Sequence, residues 1–331
     1  MVSDMEISVV VVTYNQDLKR ILLTLKSIIN QKFMDYELII SDDGSKYNYF
    51  DEIKNYFQEN NFTRYKLLPS ETNRGTVKNI IKALEQCCGK YVKVIGAGDL
   101  LYNEDSLETI CECFRKEDCD LCFGLMRGFR FAPSGEIKLR TSFRPYNIQA
   151  YRKKVNINML QKYLVLYEDH IYGASFAYKK DYILSSLKKI EGSVIYLEDI
   201  IQVEAALKEE KVYFYDDYLF WYEVDAGVSA GKNHMQGKIR KDYNNYYKYI
   251  SELYPDNKYI KKRKKWSKIY DINNYFLRYI AIFFHSPSLA FFVLYHIIQR
   301  HTRKHEPDLG TKGFLDEKDF LKLGKEGIIE L

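Results

Sequence analysis

The first hundred residues alternate between short apolar runs and segments whose apolar side chains recur at helical spacing. The run from Ile7 to Val12 is rich in β-branched residues, which is typical of a strand buried on both faces. A helix face follows it, formed by Leu18, Ile21, Leu22, Leu25, Ile28 and Ile29. Three more strands are predicted over residues 37–41, 65–68 and 91–95, with helical segments between them. Strands that alternate with helices predict βαβ units and a largely parallel sheet.

The alternation becomes irregular after Asp99. Residues 120–137 have the pattern of β-structure, so we expect a mixed sheet there, and beyond about Gly237 only helical periodicity remains. We therefore predict an α/β domain over residues 1–235, with a Rossmann-like, mostly parallel sheet flanked by helices. A helical C-terminal extension is predicted over residues 236–331.

The C-terminal region contains an uncharged apolar stretch at residues 279–298, which is just long enough for a membrane span. Pro287 should divide it into two helices. Seven basic residues lie just before it: Lys258, Lys261, Lys262, Arg263, Lys264, Lys265 and Lys268. The stretch therefore predicts packing on the domain, peripheral contact with a membrane interface, or a true span. The basic cluster fits a solvated helix face as well as contact with anionic lipid or lipid-linked phosphate.

Composition narrows the class of protein. The chain has 331 residues, 46% of them hydrophobic, and a net charge of only +5, so we expect a folded protein with no nucleic-acid partner. The N-terminus has no pattern of a secretory signal, so we expect a cytoplasmic protein, with the inner face of the cell membrane as a peripheral location. In a reducing cytosol the six cysteines should be free thiols. The spacing of Cys119 and Cys122 leaves a zinc site as the minor alternative.

Polar stretches stand where the predicted strands end or turns begin. They are Thr13-Tyr14-Asn15, Asp42-Asp43-Gly44-Ser45, Asn73-Arg74-Gly75 and Gly96-Ala97-Gly98-Asp99. Ligands bind outside the carboxyl ends of strands in open α/β sheets, so the series predicts a nucleotide pocket. Tyr14 could stack on a base and Asp43 could accept a hydrogen bond from its ring N–H, although Asp and Gly also favour plain turns. Arg74 and Lys78 could offset phosphate charge, or either could be an ordinary surface cation.

Two further acidic positions suggest chemistry. Asp99 follows the fourth strand, where one carboxylate with phosphate oxygens and water can hold Mg²⁺ or Mn²⁺; a turn or helix cap is the alternative. Glu198 and Asp199 begin a predicted helix, where an anion is stabilised and could take the proton of an attacking hydroxyl. From the pattern alone, ordinary acidic enrichment of a first helical turn is the simpler explanation.

In order and spacing these segments resemble family 2 glycosyltransferases of the inverting, GT-A type. The resemblance covers about residues 5–230 and includes the Lys78-Asn79 pair, the stretch that ends at Asp99, and Leu197-Glu198-Asp199. Two later segments resemble the part of the family that closes the active site: Trp221-Tyr222-Glu223 and Gly227-Val228-Ser229.

The resemblance implies roles for named residues. The donor, a nucleotide sugar with UDP as its nucleotide, would be bound by Thr13, Tyr14, Asn15, Asp43, Lys78 and Asn79. Asp99 would bind the Mg²⁺ or Mn²⁺ that bridges the donor diphosphate. Asp199 would be the general base, with Glu198 beside it. The acceptor would be a hydroxyl of a glycan or of an oligosaccharide on a polyprenyl diphosphate, as in bacterial surface polysaccharide synthesis.

The sequence departs from the family pattern at three positions. Many relatives carry acids where this chain has Gly96 and Gly98, and many carry Arg at the position of Glu223. The thinned acidic motif keeps a second hypothesis open, namely a catalytically silent nucleotide-sugar-binding or scaffold subunit.

Overall fold

The computed structural model describes residues 5–132, 137–141, 145–152, 157–224, 233–272, 274–302 and 312–316. The strands are β1 (Ile7–Thr13), β2 (Tyr36–Asp42), β3 (Tyr65–Leu68), β4 (Tyr91–Gly96), β5 (Leu100–Leu101), β6 (Leu121–Phe131), β7 (Ile137–Thr141), β8 (Phe176–Lys179) and β9 (Val212–Glu223). The helices before β9 are α1 (Leu18–Ile29), α2 (Phe50–Glu59), α3 (Thr76–Leu84), α4 (Ser106–Glu117), α5 (Ile148–Arg152), α6 (Ile157–Tyr167), α7 (Lys180–Ile190) and α8 (Ile201–Lys208). Those after it are α9 (Asn233–Leu253), α10 (Lys258–Lys265), α11 (Ser267–Tyr270), α12 (Tyr275–His285) and α13 (Pro287–Thr302).

The strands form one sheet in the spatial order β3-β2-β1-β4-β8-β6-β9-β5, with β7 paired to β6. Strands β1 to β4 pair in parallel, which confirms the βαβ prediction for this half. Beyond β4 the sheet is mixed, because β8 runs antiparallel to both β4 and β6 while β6 and β9 are parallel. The predicted α/β class is therefore confirmed. The mixed half is the part of the chain where the strand–helix alternation fails.

Helices cover both faces of the sheet. Val10 of β1 joins the apolar cluster that contains residues of α3 and α8, whereas Val9 and Val11 join the opposite cluster with residues of α1 and α2. All three valines are fully buried. A strand buried on both faces needs a continuous apolar run, which explains the pattern of residues 7–12.

Helix α9 packs on the α/β part of the chain. Tyr246 and Ile250 are fully buried in the same cluster as Val10. The proposed division at residues 235 and 236 stays a prediction, but it cuts through α9. Arg263 differs from the other members of the predicted basic cluster, because it is buried against Glu168 rather than solvated, with Nη2 2.5 Å from Oε1.

The uncharged stretch forms two helices, α12 and α13, which are divided at Pro287 as predicted. Leu289 and Ala290 of α13 are buried, and the Phe292 ring lies 4.1 Å from that of Tyr167, so part of this hairpin packs on the protein. Within the described residues, we find no helix that combines the length and hydropathy a membrane crossing requires. The six cysteines are free.

Candidate active site

A cavity of about 720 Å³ opens at the carboxyl ends of β1, β2 and β4. It lies where the topology of an open α/β sheet places ligands. Its described lining consists of Val12, Thr13, Tyr14, Asn15, Gln16, Asp43, Asn73, Thr76, Asn79, Gly96, Ala97, Tyr196, Met235 and Lys238. Five of the six predicted donor-binding residues are in this lining, and the sixth, Lys78, is not.

The turn after β2 is fixed by hydrogen bonds to Asp42. Its carboxylate accepts from the hydroxyls of Thr13 at 2.9 Å and Ser45 at 2.5 Å, and from the Ser45 amide at 2.8 Å. Gly44 has φ +75°, and a Cβ there would lie 2.4 Å from the Thr72 carbonyl carbon. Only glycine fits this approach, so the Asp-Asp-Gly-Ser sequence serves to seat one loop against the next.

Asp43 joins this turn to the next strand-end loop. Its two carboxylate oxygens each accept a backbone N–H at 2.9 Å, one from Arg74 and one from Gly75. Burial raises the pKa of the Asp43 carboxyl, and the two amide hydrogen bonds oppose that rise. A carboxylate has about four acceptor positions, so Asp43 keeps acceptor capacity toward the cavity.

Tyr14 presents its ring to solvent at the cavity, with 51% of the residue exposed. The next residue, Asn15, has φ +48°, and its side chain accepts the Lys46 amide at 2.9 Å. Asn tolerates this left-handed conformation better than most residues do. The turn therefore holds an exposed aromatic ring beside a ligand-sized space, as stacking on a base requires.

Asn79 reaches the cavity from α3, but its amide is engaged by β2. Its Oδ1 accepts from the Ser41 hydroxyl at 2.7 Å, and its Nδ2 donates to the Ser41 carbonyl at 2.9 Å. Asn79 thus ties the helix to the strand beneath the pocket. The roles assigned to Asn79 and Lys78 stay predictions.

The loop that ends at Asp99 is braced by α1 and its N-terminal flank. Gln16 Nε2 donates to the Ala97 carbonyl at 2.9 Å. The Thr24 hydroxyl accepts the Gly98 amide and donates to the Asp99 carbonyl, both at 2.8 Å. These hydrogen bonds fix the position of Asp99 just beyond the carboxyl end of β4.

Asp99 Oδ1 accepts the Glu223 backbone amide at 2.9 Å. Burial raises the pKa of Asp99 to about 7, against the opposing effects of that hydrogen bond and of nearby Lys93. Oδ2 lies 3.6 Å from the point where a Cβ on Gly96 would stand, and Gly96 lines the cavity. The described residues contain no group of three or more His, Cys, Asp or Glu placed to hold a metal ion.

Glu223 occupies the space beside Gly98. Gly98 has φ +110°, and a Cβ there would lie 2.5 Å from Glu223 Oε2. The carboxylate accepts Arg20 Nε at 2.8 and 2.9 Å, and only 4% of the Glu223 side chain is exposed. Two of the three departures from the family pattern, Gly98 and Glu223, are therefore in contact, and the Glu223 carboxylate is paired with Arg20.

Glu198 and Asp199 form the short turn before α8. Asp199 Oδ2 accepts the Gly173 amide at 3.1 Å, and a Cβ on Gly173 would lie 2.7 Å from Glu198 Oε1. Burial, reinforced by the Asp199 charge, raises the pKa of Glu198 to about 8. This raised pKa favours one proton shared by the Glu198–Asp199 pair at neutral pH. Neither residue is in the cavity lining, which Tyr196 reaches two positions earlier.

Lys93 of β4 donates hydrogen bonds to the segment that follows Gly173, and its charge also acts on Asp99. It is fully buried, and its ammonium group donates to the carbonyls of Ala174 and, at 3.1 Å, of Phe176. Its Nζ also lies 3.7 Å from the Phe220 ring centroid. Burial lowers the pKa of Lys93 to about 7. The lysine thus anchors the turn that carries Gly173.

Sequence reasoning missed the contribution of α9. Buried Asp242 accepts the amides of Ile195 at 3.0 Å and Tyr196 at 2.6 Å, which fixes the segment leading to the acidic turn. Met235 and Lys238 of the same helix line the cavity. These residues follow more than thirty positions after the acidic turn, so no local spacing indicates their role.

The profile of glycosyl transferase family 2 matches residues 8–182, just over half of the chain. The protein belongs to glycosyl transferase family 2.

Two curated relatives are glycosyltransferases. The bifunctional glycosyltransferase pgtA of Dictyostelium discoideum is 23% identical over 216 residues, which is 62% of this chain and 27% of pgtA. Glycosyltransferase GlyG of Streptococcus pneumoniae is 26% identical over 118 residues, 36% of this chain and 38% of GlyG. The matches thus span between about a quarter and two fifths of these relatives.

Among solved structures, S. aureus TarS 1–349 in complex with UDP-GlcNAc matches 89% of this chain and 81% of its own length. The sequence identity is 16% and the TM-score 0.49. The complex of TarS 1–349 with UDP has 17% identity and a TM-score of 0.47.

Proposed function

We propose that this protein is an inverting glycosyltransferase that uses a nucleotide sugar, with UDP as the nucleotide. The acceptor is a hydroxyl of a glycan or of an oligosaccharide on a polyprenyl diphosphate. Asp199 takes the proton of that hydroxyl as it attacks the anomeric carbon, and the nucleoside diphosphate leaves from the opposite face. Tyr14 and Asp43 bind the base.

One observation carries the proposal: the cavity lined by five of the six predicted donor residues adjoins, through Tyr196, the turn that carries the carboxyls of Glu198 and Asp199. Burial and the neighbouring Asp199 charge raise the pKa of Glu198, so we assign the proton of the pair to Glu198 and the role of base to Asp199. General-base catalysis needs such an anion near the acceptor.

The residues near Asp99 fit a divalent cation held mainly by the donor. Asp99 is outside the cavity lining, but its Oδ2 lies next to Gly96, which lines the cavity. Mg²⁺ commonly binds through one or two carboxylates plus substrate phosphates and water. We propose that Asp99 binds Mg²⁺ or Mn²⁺ in this way. When bound, the ion would stabilise the charge of the departing diphosphate.

The test is a panel of UDP-, GDP- and TDP-sugars assayed for thermal stabilisation and for hydrolysis or transfer, with Mn²⁺ and with EDTA. The proposal expects a UDP-sugar to stabilise the protein and to turn over only with the metal. Stabilisation by UDP-sugars without turnover on any acceptor would favour the silent binding subunit. The pairing of Glu223 with Arg20 is the observation that favours this second candidate, because it engages a carboxylate next to Asp99 that could otherwise have helped to hold a metal ion.

We also propose that the protein acts at the inner face of the cell membrane and contacts it through α12 and α13. These helices expose apolar side chains of Phe276, Leu277, Ile280, Phe283, Phe284, Phe291, Leu294, Tyr295 and Ile298. The preceding helices expose Lys258, Lys261, Lys262, Lys264, Lys265 and Lys268. Apolar side chains beside a basic surface are complementary to an anionic bilayer.

Vesicle sedimentation of the full chain tests this contact. The wild type should sediment with vesicles that contain phosphatidylglycerol and less with phosphatidylcholine alone. Replacing Phe276 and Phe284 by serine should release most of the protein, whereas Met34→Ser, which removes an exposed apolar side chain elsewhere, should not. A wild type that never sediments contradicts the proposal.

A further inference from the structure

Lys238 enters the cavity from α9, in the region that the sequence pattern assigns to the C-terminal extension. Among the described lining residues it carries the one full positive charge. Its Nζ lies 5.6 Å from the ring centroid of Tyr196, another lining residue. A cation is therefore presented to the cavity by an element that no motif marks.

The position of Lys238 is supported by the same helix. Asp242 lies four residues further along α9, so both side chains stand on one helix face. That face meets the Ile195–Tyr196 segment, because Asp242 accepts both of its amides. The first turn of α9 adds Met235 to the lining.

We propose that Lys238 binds the diphosphate of the nucleotide-sugar donor and that α9 is a wall of the donor site. This inference rests on the function proposed above. A diphosphate needs cationic partners. Neither of the cations predicted from sequence, Arg74 and Lys78, is in the described lining, and Arg20 is engaged by Glu223. An ammonium group at the cavity can supply charge-assisted hydrogen bonds to phosphate oxygens.

Calorimetric titration of the full chain with UDP and with uridine tests the assignment. Lys238→Met should weaken UDP binding about tenfold, as loss of one hydrogen bond to a charged group implies, and leave uridine binding unchanged. Lys238→Arg should retain most of the UDP affinity. Lys241→Met is the matched control, since Lys241 is an exposed lysine of α9 outside the lining, and it should bind UDP like the wild type.

The outcomes separate this inference from the proposed function. If the wild type binds UDP and Lys238→Met binds it equally well, or loses UDP and uridine affinity alike, the assignment of Lys238 is overturned and the donor site stands. If the wild type binds no UDP, the donor proposal fails and the role of Lys238 fails with it.

Discussion

Two acidic pairs stand near the cavity, and they are built alike. In the loop pair, Asp99 accepts the backbone amide of Glu223; in the turn pair, Asp199 accepts the amide of Gly173, which packs against Glu198. Each pair thus contains an aspartate that accepts a backbone amide and a glutamate in a crowded space. In each, a glycine provides the room that the glutamate needs.

The pairs differ in what neutralises the glutamate. Glu223 is paired with Arg20, so its charge is balanced within the protein at the 2.8 Å contact. No lysine or arginine in the described part of the chain forms an ion pair with Glu198, and burial raises its pKa to about 8. Burial raises the pKa of both glutamates, but Arg20 opposes the rise at Glu223, whereas the Asp199 charge adds to the rise at Glu198. The comparison teaches that the nearest charge decides how similar packing affects a buried glutamate.

The largest effect is expected at the turn pair. Asp199→Asn removes the proposed base, so kcat should fall about 10²- to 10⁴-fold in a transfer assay. UDP affinity should be unchanged, because Asp199 is outside the cavity lining. A folded Asp199→Asn protein with full turnover would show that the base lies elsewhere.

Replacing the two glycines, Gly98 and Gly173, by alanine should lower the free energy of unfolding by different amounts. Gly98→Ala combines a collision with a positive φ and should lower the free energy of unfolding by about 2–4 kcal/mol. Gly173→Ala has the collision without the positive φ and should cost about 1–3 kcal/mol. Urea unfolding measures both. Gly237→Ala is the control: nothing crowds it and it lies in α9, so it should stabilise the protein by about 0.5–1 kcal/mol.

Glu223→Gln should destabilise the protein. It leaves Arg20 with Asp17 as its remaining carboxylate partner, and the free energy of unfolding should fall by about 1–3 kcal/mol in urea titrations. No change in stability would mean that the Arg20 pairing is not what holds Glu223 in place.

Glu198→Gln should have the smallest effect on turnover. Unlike Glu223→Gln, it should stabilise the protein. The unfolded chain loses the Glu198 proton near pH 4.5 and the folded chain near pH 8, so this residue makes folding less favourable as the pH rises between those values. Glutamine removes that cost. Its Tm advantage over the wild type should therefore grow by a few degrees from pH 5 to pH 9.

At pH 7, kcat of Glu198→Gln should stay within about threefold of the wild type, because a neutral amide resembles the protonated acid. Equal melting temperatures at pH 9 would contradict the proton-holding role of Glu198. A shared destabilisation by both Glu→Gln changes would remove the distinction between the pairs.

Local patterns were sufficient for the parallel half of the fold and the cavity. The apolar run before Thr13 and the Asp-Gly turn after β2 are properties of neighbouring residues, so Tyr14 and Asp43 could be assigned to one site from sequence. The contact of Arg20 with Glu223 joins residues about two hundred positions apart, and no periodicity encodes it. The sequence did contain one indication that Glu223 lies beside Gly98, because both positions depart from the same family pattern.

The α9 residues were missed for a similar reason. Asp242 and Lys238 follow the helical pattern of an extension, and polar positions on a helix are ordinarily solvated. Their contacts depend on how α9 packs across the sheet edge. Boundaries inferred from a change of periodicity therefore say little about which elements complete a site.

The central claim is that the cavity beside Tyr14 binds the donor nucleotide. Calorimetric titration with UDP tests it most directly, with wild type, Tyr14→Ala and, as control, Tyr47→Ala, an exposed tyrosine outside the lining. We predict that the wild type and Tyr47→Ala bind UDP alike, and that Tyr14→Ala loses about tenfold or more, as expected for loss of base stacking. No UDP binding by the wild type, or equal binding by Tyr14→Ala, would contradict the account.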